Sequence, residues 1–128
     1  MNAAGSRLTA AQDARRRRML REVSALAAEG GYESVQMRDV AARADVAIGT
    51  LYRYFPSKEY LVASVMEAEV GALAADLEAR PALGNSAGER VLAVLGRANH
   101  ALLARPNVSI AQIRALVSGN DEVAEVVK

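Results

Sequence analysis

An all-α fold is predicted by three features of the sequence. Its apolar residues make up 52% of the chain but are mostly Ala, Leu and Val, with only four Tyr and one Phe among the aromatics. Such small side chains suit helices packed closely together. The Thr/Ile/Tyr alternation that strands need is nearly missing. Apolar residues instead recur at spacings of three and four between clear helix stops.

Residues 1–8 are small and polar and read as a loose tail. The first helix begins near Thr9 and runs through Glu29, with Leu20, Val23, Leu26 and Ala27 as its buried stripe. Gly30-Gly31 stops it, because glycine takes the left-handed C-cap without a Cβ clash. Tyr32 is expected to fold back onto the core. A second helix fits Met37–Ala44, burying Met37, Val40 and Ala41, with Asp39 placed favourably at the positive end of the helix dipole. After a break at Asp45-Val46, a third helix fits Ala47–Tyr54, and Pro56 ends it. Two helices this short cannot stand alone; they make sense as a helix-turn-helix braced by the first helix.

Ser57 is a good N-cap for a long fourth helix over Lys58–Ala79, spanning roughly 33 Å. Leu61, Val65, Ala68 and Ala72 form one apolar row; Val62, Met66, Leu73 and Leu77 form another. Two rows imply more than one packing partner. Arg80–Ser86 gathers Pro, Gly, Asn and Ser and reads as a linker. Ser86 and Glu89 form a capping box opening a fifth helix to about Ala104. Arg105-Pro106 interrupts the chain before a sixth helix to about Val117. Ser118-Gly119-Asn120 then precedes the opening turns of another.

Charge is unevenly placed. Residues 1–60 hold ten Arg and Lys against seven acids, and residues 61–128 hold six against eight, so a net +1 divides into +3 and −2. Arg15, Arg16, Arg17 and Arg18 are consecutive, which points the first half towards a polyanion. There is no cysteine and a single histidine, which argues against disulfides, thiolate chemistry and a metal site. No apolar run reaches membrane-spanning length and none resembles a secretory signal, so a cytoplasmic protein is expected. No Ser-His-Asp set, Glu-x-x-His pair or glycine-rich phosphate loop supports an enzyme, and no cofactor is implied. Glu67, Glu69, Asp76 and Glu78 read as solvating charges on the long helix, and His100 as an ordinary polar residue.

Residues 30–61 read GGYESVQMRDVAARADVAIGTLYRYFPSKEYL. This resembles the TetR-family signature: Gly-Tyr, a short helix ending in Ala-x-x-Ala, a turn, then Gly-Thr-Leu-Tyr-x-Tyr-Phe-x-Ser-Lys. The resemblance implies a three-helix DNA-binding head over 1–56 and part of a helical ligand-binding and dimerising body over 57–128. It also implies a homodimer on a double-stranded DNA operator with an inverted repeat. Family members usually continue through further helices, so the chain is expected to be incomplete.

The residues suit that role. A recognition helix needs small or adaptable side chains at its start, so that its backbone can approach the major groove. Ala47, Ile48, Gly49 and Thr50 supply them, and Gly49 sacrifices about a kcal/mol of helix propensity. Tyr52 and Tyr54 place hydroxyls near the groove rim, and Lys58 adds a charge beside free backbone amides. The resemblance assigns backbone or base contacts to Gln36, Arg38, Thr50, Tyr52, Tyr54 and Lys58; Arg53 reads as exposed and as a further contact. Leu51 and Phe55 match interior positions. Two departures stand out. Gln36 replaces the usual capping threonine, and Asp45-Val46-Ala47 replaces Gly-Val-Ser, removing a capping hydroxyl.

Gln36-Met37-Arg38, Ala44–Ala47 and Arg53–Lys58 are most similar to the actinobacterial steroid-catabolism repressors of the KstR type. That branch implies repression of steroid or lipid catabolism genes, relieved by a small effector such as a steroid or fatty acyl-CoA. A TetR-type repressor of efflux or fatty-acid genes is the alternative within the family. A helical protein-binding adaptor without DNA binding is the alternative from another class.

Overall fold

The computed structural model describes residues 7–128. Of the expected tail, residues 1–6 therefore lie outside the described residues; Arg7 and Leu8 are exposed ahead of the first helix. The described residues form seven α-helices and one 3-10 turn: α1 (Ala10–Gly30), the turn (Tyr32–Ser34), α2 (Met37–Arg43), α3 (Ile48–Tyr54), α4 (Lys58–Ala79), α5 (Ala87–Ala104), α6 (Pro106–Leu116) and α7 (Asp121–Val127). Boundaries differ from expectation by a residue, mostly where the expected terminal residue is the cap itself.

Local chemistry explains each boundary. Thr9 caps α1 reciprocally: its hydroxyl accepts from the Gln12 amide at 3.2 Å, and the Gln12 side chain accepts from the Thr9 amide at 2.9 Å. Gly31 closes the helix at φ 74, a region costly for residues with a Cβ. Asp45, at φ 55, makes the corresponding left-handed turn between α2 and α3, which aspartate tolerates. Neither Gln36 nor Ala47 gives a side-chain cap. Ser57 and Ser86 do, accepting from Tyr60 and Glu89 amides at 3.2 Å each. The return arm of the second box shifts by one residue, since Glu89 accepts from the Asn85 amide at 2.6 Å. Pro106 occupies the first turn of α6, where its missing N–H has no partner to lose. Arg105–Pro106 is thus a tight corner between two helices.

The core lies under α3. Met19 and Val23 of α1, Val35, Val40 of α2, Leu51, Phe55, and Leu61 and Val62 of α4 are all essentially excluded from solvent. Each such apolar side chain contributes roughly 1.5–3 kcal/mol of transfer free energy. Val108, Ala111 and Ala115 of α6 belong to the same cluster, with Tyr32, Met37 and Tyr54 half-buried at its edge. Met37 is thus less buried than its place in the α2 stripe suggested.

The long α4 behaves differently along its length. Residues 61–65 are buried against α1, α6 and α7. Of the two expected rows, only Leu61, Val62 and Val65 are buried; Met66, Leu73 and Leu77 are intermediate, and Ala68 and Ala72 exposed. The rows were read from periodicity alone, and periodicity marks a face without showing that a neighbour reaches it. The acidic row is more engaged than expected. Glu67 pairs with Arg16, Glu69 with Arg105 and the buried Gln112, and Asp76 with Arg80 and Arg97. The ion pairs tie α4 to α1, to α5 and to the corner at Arg105 at exposed or half-exposed positions, where each is worth at most about a kcal/mol, and the Gln112 hydrogen bond ties it to α6.

Candidate nucleic-acid interface

Two buried residues orient α3. Leu51 and Phe55 are both 0% exposed, so the 3.6-residue repeat turns Gly49 and Arg53 to the opposite side. Ile48 and Tyr52 flank them at 47% and 46% exposure. A Cβ added at Gly49 would meet nothing within 4 Å. Packing within the chain therefore does not require glycine there. Thr50 is half-buried, and its hydroxyl accepts from Arg53 Nη2 at 3.2 Å. Arg53 is accordingly tethered across the outward face of α3.

The other named residues sit around this helix. Gln36 and Arg38 are exposed at the start of α2, which packs on α3. Ala47 is exposed at the turn into α3. Tyr54 is half-buried, its ring 6.2 Å from that of Phe55, so its body belongs to the core edge. Lys58 is only partly open: its Nζ lies 4.0 Å from the centroid of the Tyr32 ring. Burial pushes the Lys58 ammonium below the usual lysine range, against an opposing pull from Glu33 and Glu59.

Around Lys58 is a cluster that spacing along the chain did not reveal. The Tyr32 hydroxyl donates to Glu59 Oε1 at 2.7 Å, and Arg114 of α6 lies 4.5 Å from the same ring centroid. Burial, then the Glu59 hydrogen bond, pushes the Tyr32 phenol up to about 12. The same hydrogen bond holds the Glu59 carboxyl below its ordinary value. Tyr32 and Glu59 are 27 residues apart in sequence, and no local signal joins them.

The arginine run also divides by task. Arg15 and Arg17 are exposed, Arg17 beside Asp13 at 2.6 Å. Arg16 lies over the Phe55 ring at 5.5 Å, and Arg18 Nε donates to the Ala44 carbonyl at 2.8 Å, satisfying the end of α2. Two of these cations thus brace the helix-turn-helix from behind. His100 is exposed on α5. Among the described residues, no three His, Asp or Glu side chains gather as a metal site, and no helix is long and apolar enough to cross a membrane.

A small helix presenting a short, adaptable outward face, with cations at its rim, is a geometry suited to the major groove. Comparison with known proteins agrees. The family model described as bacterial regulatory proteins, tetR family, matches residues 21–65. The chain is similar to the HTH-type transcriptional repressor KstR of Mycobacterium tuberculosis, 42% identical over 117 residues, covering 91% of this chain and 53% of that protein. The KstR of Mycolicibacterium smegmatis is also 42% identical, over 89% of this chain and 56% of its own length. That of Rhodococcus jostii is 42% identical over 89% of this chain and 53% of its own. The chain thus spans about half the length of the curated relatives it matches. Among solved structures, a TetR transcriptional regulator from Rhodococcus sp. RHA1 superposes with a TM-score of 0.75 at 38% identity, over 90% of this chain and 63% of the other.

Proposed function

We propose that this chain, whose residues 21–65 match the tetR family model, is a TetR-type, sequence-specific repressor of steroid or lipid catabolism genes, released from DNA by a small ligand. The observation that carries the reading is the outward face of α3. Gly49 is free of any packing demand, Thr50 and Arg53 are paired across the face, and Ile48 and Tyr52 are exposed beside them. Ala47, Ile48, Gly49, Thr50 and Arg53 enter the major groove. Gln36, Arg38, Tyr52, Tyr54 and Lys58 meet the backbone or the groove edge. The steroid branch is supported by the identity to three repressors named KstR.

In this reading residues 1–56 act as the DNA-binding head and residues 57–128 as part of the ligand-binding and dimerising body, in the cytoplasm. Two copies place their recognition helices about 34–36 Å apart on an inverted repeat. Ligand then favours a state in which that spacing is lost. Fluorescence anisotropy on a duplex from the promoter of its own gene tests the reading. Salt-sensitive binding that prefers this duplex over mixed-sequence DNA is expected, followed by release with a steroid-CoA thioester. Absence of salt-sensitive binding would leave a protein-binding adaptor. Release by long-chain fatty acyl-CoA alone would move the protein to the fatty-acid branch.

A further inference from the structure

Tyr32 carries more contacts to charged groups than any other aromatic in the head. Its backbone sits in the 3-10 turn, and its hydroxyl is fixed on Glu59, in the first turn of α4. Held at both ends, the ring cannot swing freely. Lys58 Nζ lies 4.0 Å from the ring centroid, and Arg114 lies 4.5 Å from it while pairing with Glu33 at 2.5 Å. The 3-10 turn packs on α6, so this ring is where α6 meets the start of α4.

A cation against an aromatic face is held by the ring quadrupole without using a lone-pair acceptor. The ammonium therefore retains donors for another partner. A lysine so held has surrendered its rotamer freedom during folding, and meets a phosphate without that loss at binding. We propose that Tyr32 is a positioning residue for DNA binding: its ring is the platform that presents Lys58 to a backbone phosphate, and Arg114 ties that platform to α6. This rests on the reading that Lys58 contacts DNA. The role belongs to the ring and not to the hydroxyl, which only steadies it.

The slope of log affinity against log salt separates this role from a structural one, because it counts phosphates neutralised. It should be measured for the full-length protein on the promoter duplex and on mixed-sequence DNA. K58A is expected to lower the slope by about one unit. Y32L should lower it by the same amount, Y32F should preserve it, and the Y32L/K58A pair should lose no more than either alone. A Y32L protein that binds more weakly with its slope unchanged, or a double variant that loses both increments, overturns the proposal. An unchanged slope in K58A overturns the underlying contact, and the platform with it. Should Y32L fail to fold, NMR of the unaltered protein decides. The Lys58 ε-methylene protons should be shifted upfield by the ring and remain so on DNA; loss of that shift at saturation refutes the platform.

Discussion

The helices around α3 and the helix α5 have similar apolar content and opposite fates. In the former, Met19, Leu51, Phe55 and Leu61 are all sealed from water, in one buried cluster that α1, α2, α3, α4 and α6 share. In α5 no residue is buried, and Val91, Leu92, Leu95, Leu102 and Leu103 are each more than half exposed. Both regions carry apolar residues at helical spacing. Spacing therefore specifies that a helix forms and which side is apolar, while burial depends on whether another element arrives. The elements around α3 have closed on one another; within the described residues Arg97 ties α5 to the Arg80 carbonyl and to Asp76, and Ser109 of α6 donates to the Leu102 carbonyl.

The contrast can be broken by cutting each region's apolar residues in turn. Phe55→Ala should destabilise by about 3–5 kcal/mol, since it empties a sealed site. Denaturant unfolding should show a large fall in midpoint. Thr9→Ala, which removes the reciprocal cap of α1, should cost about 1 kcal/mol by the same measurement. Leu95→Ser on α5 should change the stability of this segment by no more than about 0.5 kcal/mol, as for other open surface positions. A large loss there would mean that α5 is covered in solution and that the two regions are alike.

Alkaline pH sharpens the comparison at the start of α4. The Tyr32 phenol titrates at about 12 in the folded protein against 10.0 ordinarily, so between those values the folded state holds a proton that the unfolded state has released. Stability from this group is whole below pH 10 and is lost as pH rises through 12. The lowered Glu59 carboxyl works the other way: its contribution is present above 4.5 and lost as pH falls. Unfolding measured from pH 9 to 12 should show a decline that Y32F reduces. An identical decline in Y32F would assign it to other groups.

Much of the architecture was legible because it is written in local chemistry. Gly31 and Asp45 mark left-handed turns, Ser57 and Ser86 mark helix starts, and Pro56 marks a stop; each acts within a few residues of itself. Leu51 and Phe55 were placed inside by the resemblance to the TetR signature, not by local chemistry, and both are buried. The rest depends on residues far apart in sequence. Arg18 reaching the Ala44 carbonyl, Arg114 meeting Tyr32, and the acids of α4 finding Arg16 on α1, Arg97 on α5 and Arg105 at the corner before α6 leave no trace in spacing. Lys58 shows both limits. Its place at the start of α4 was readable, but the aromatic face beneath its ammonium was not.

The entry of α6 into the core shared with α3 bears on how this chain can be recombined with another. Val108, Ala111 and Ala115 fill the same cluster as Met19 and Phe55, and the Asn107 side chain reaches the Ala28 carbonyl at 3.3 Å. A recognition helix grafted onto another body would bring a floor shaped for these three small side chains. A bulkier α6 would wedge α1 from α4, and a thinner one would leave voids in the shared cluster. Under the proposed function, operator choice and ligand choice would therefore not be freely interchangeable modules. A working chimera must carry α6 along with α1–α4, with its seam beyond Leu116 or within the exposed residues between α4 and α5 on a body whose α6 already matches.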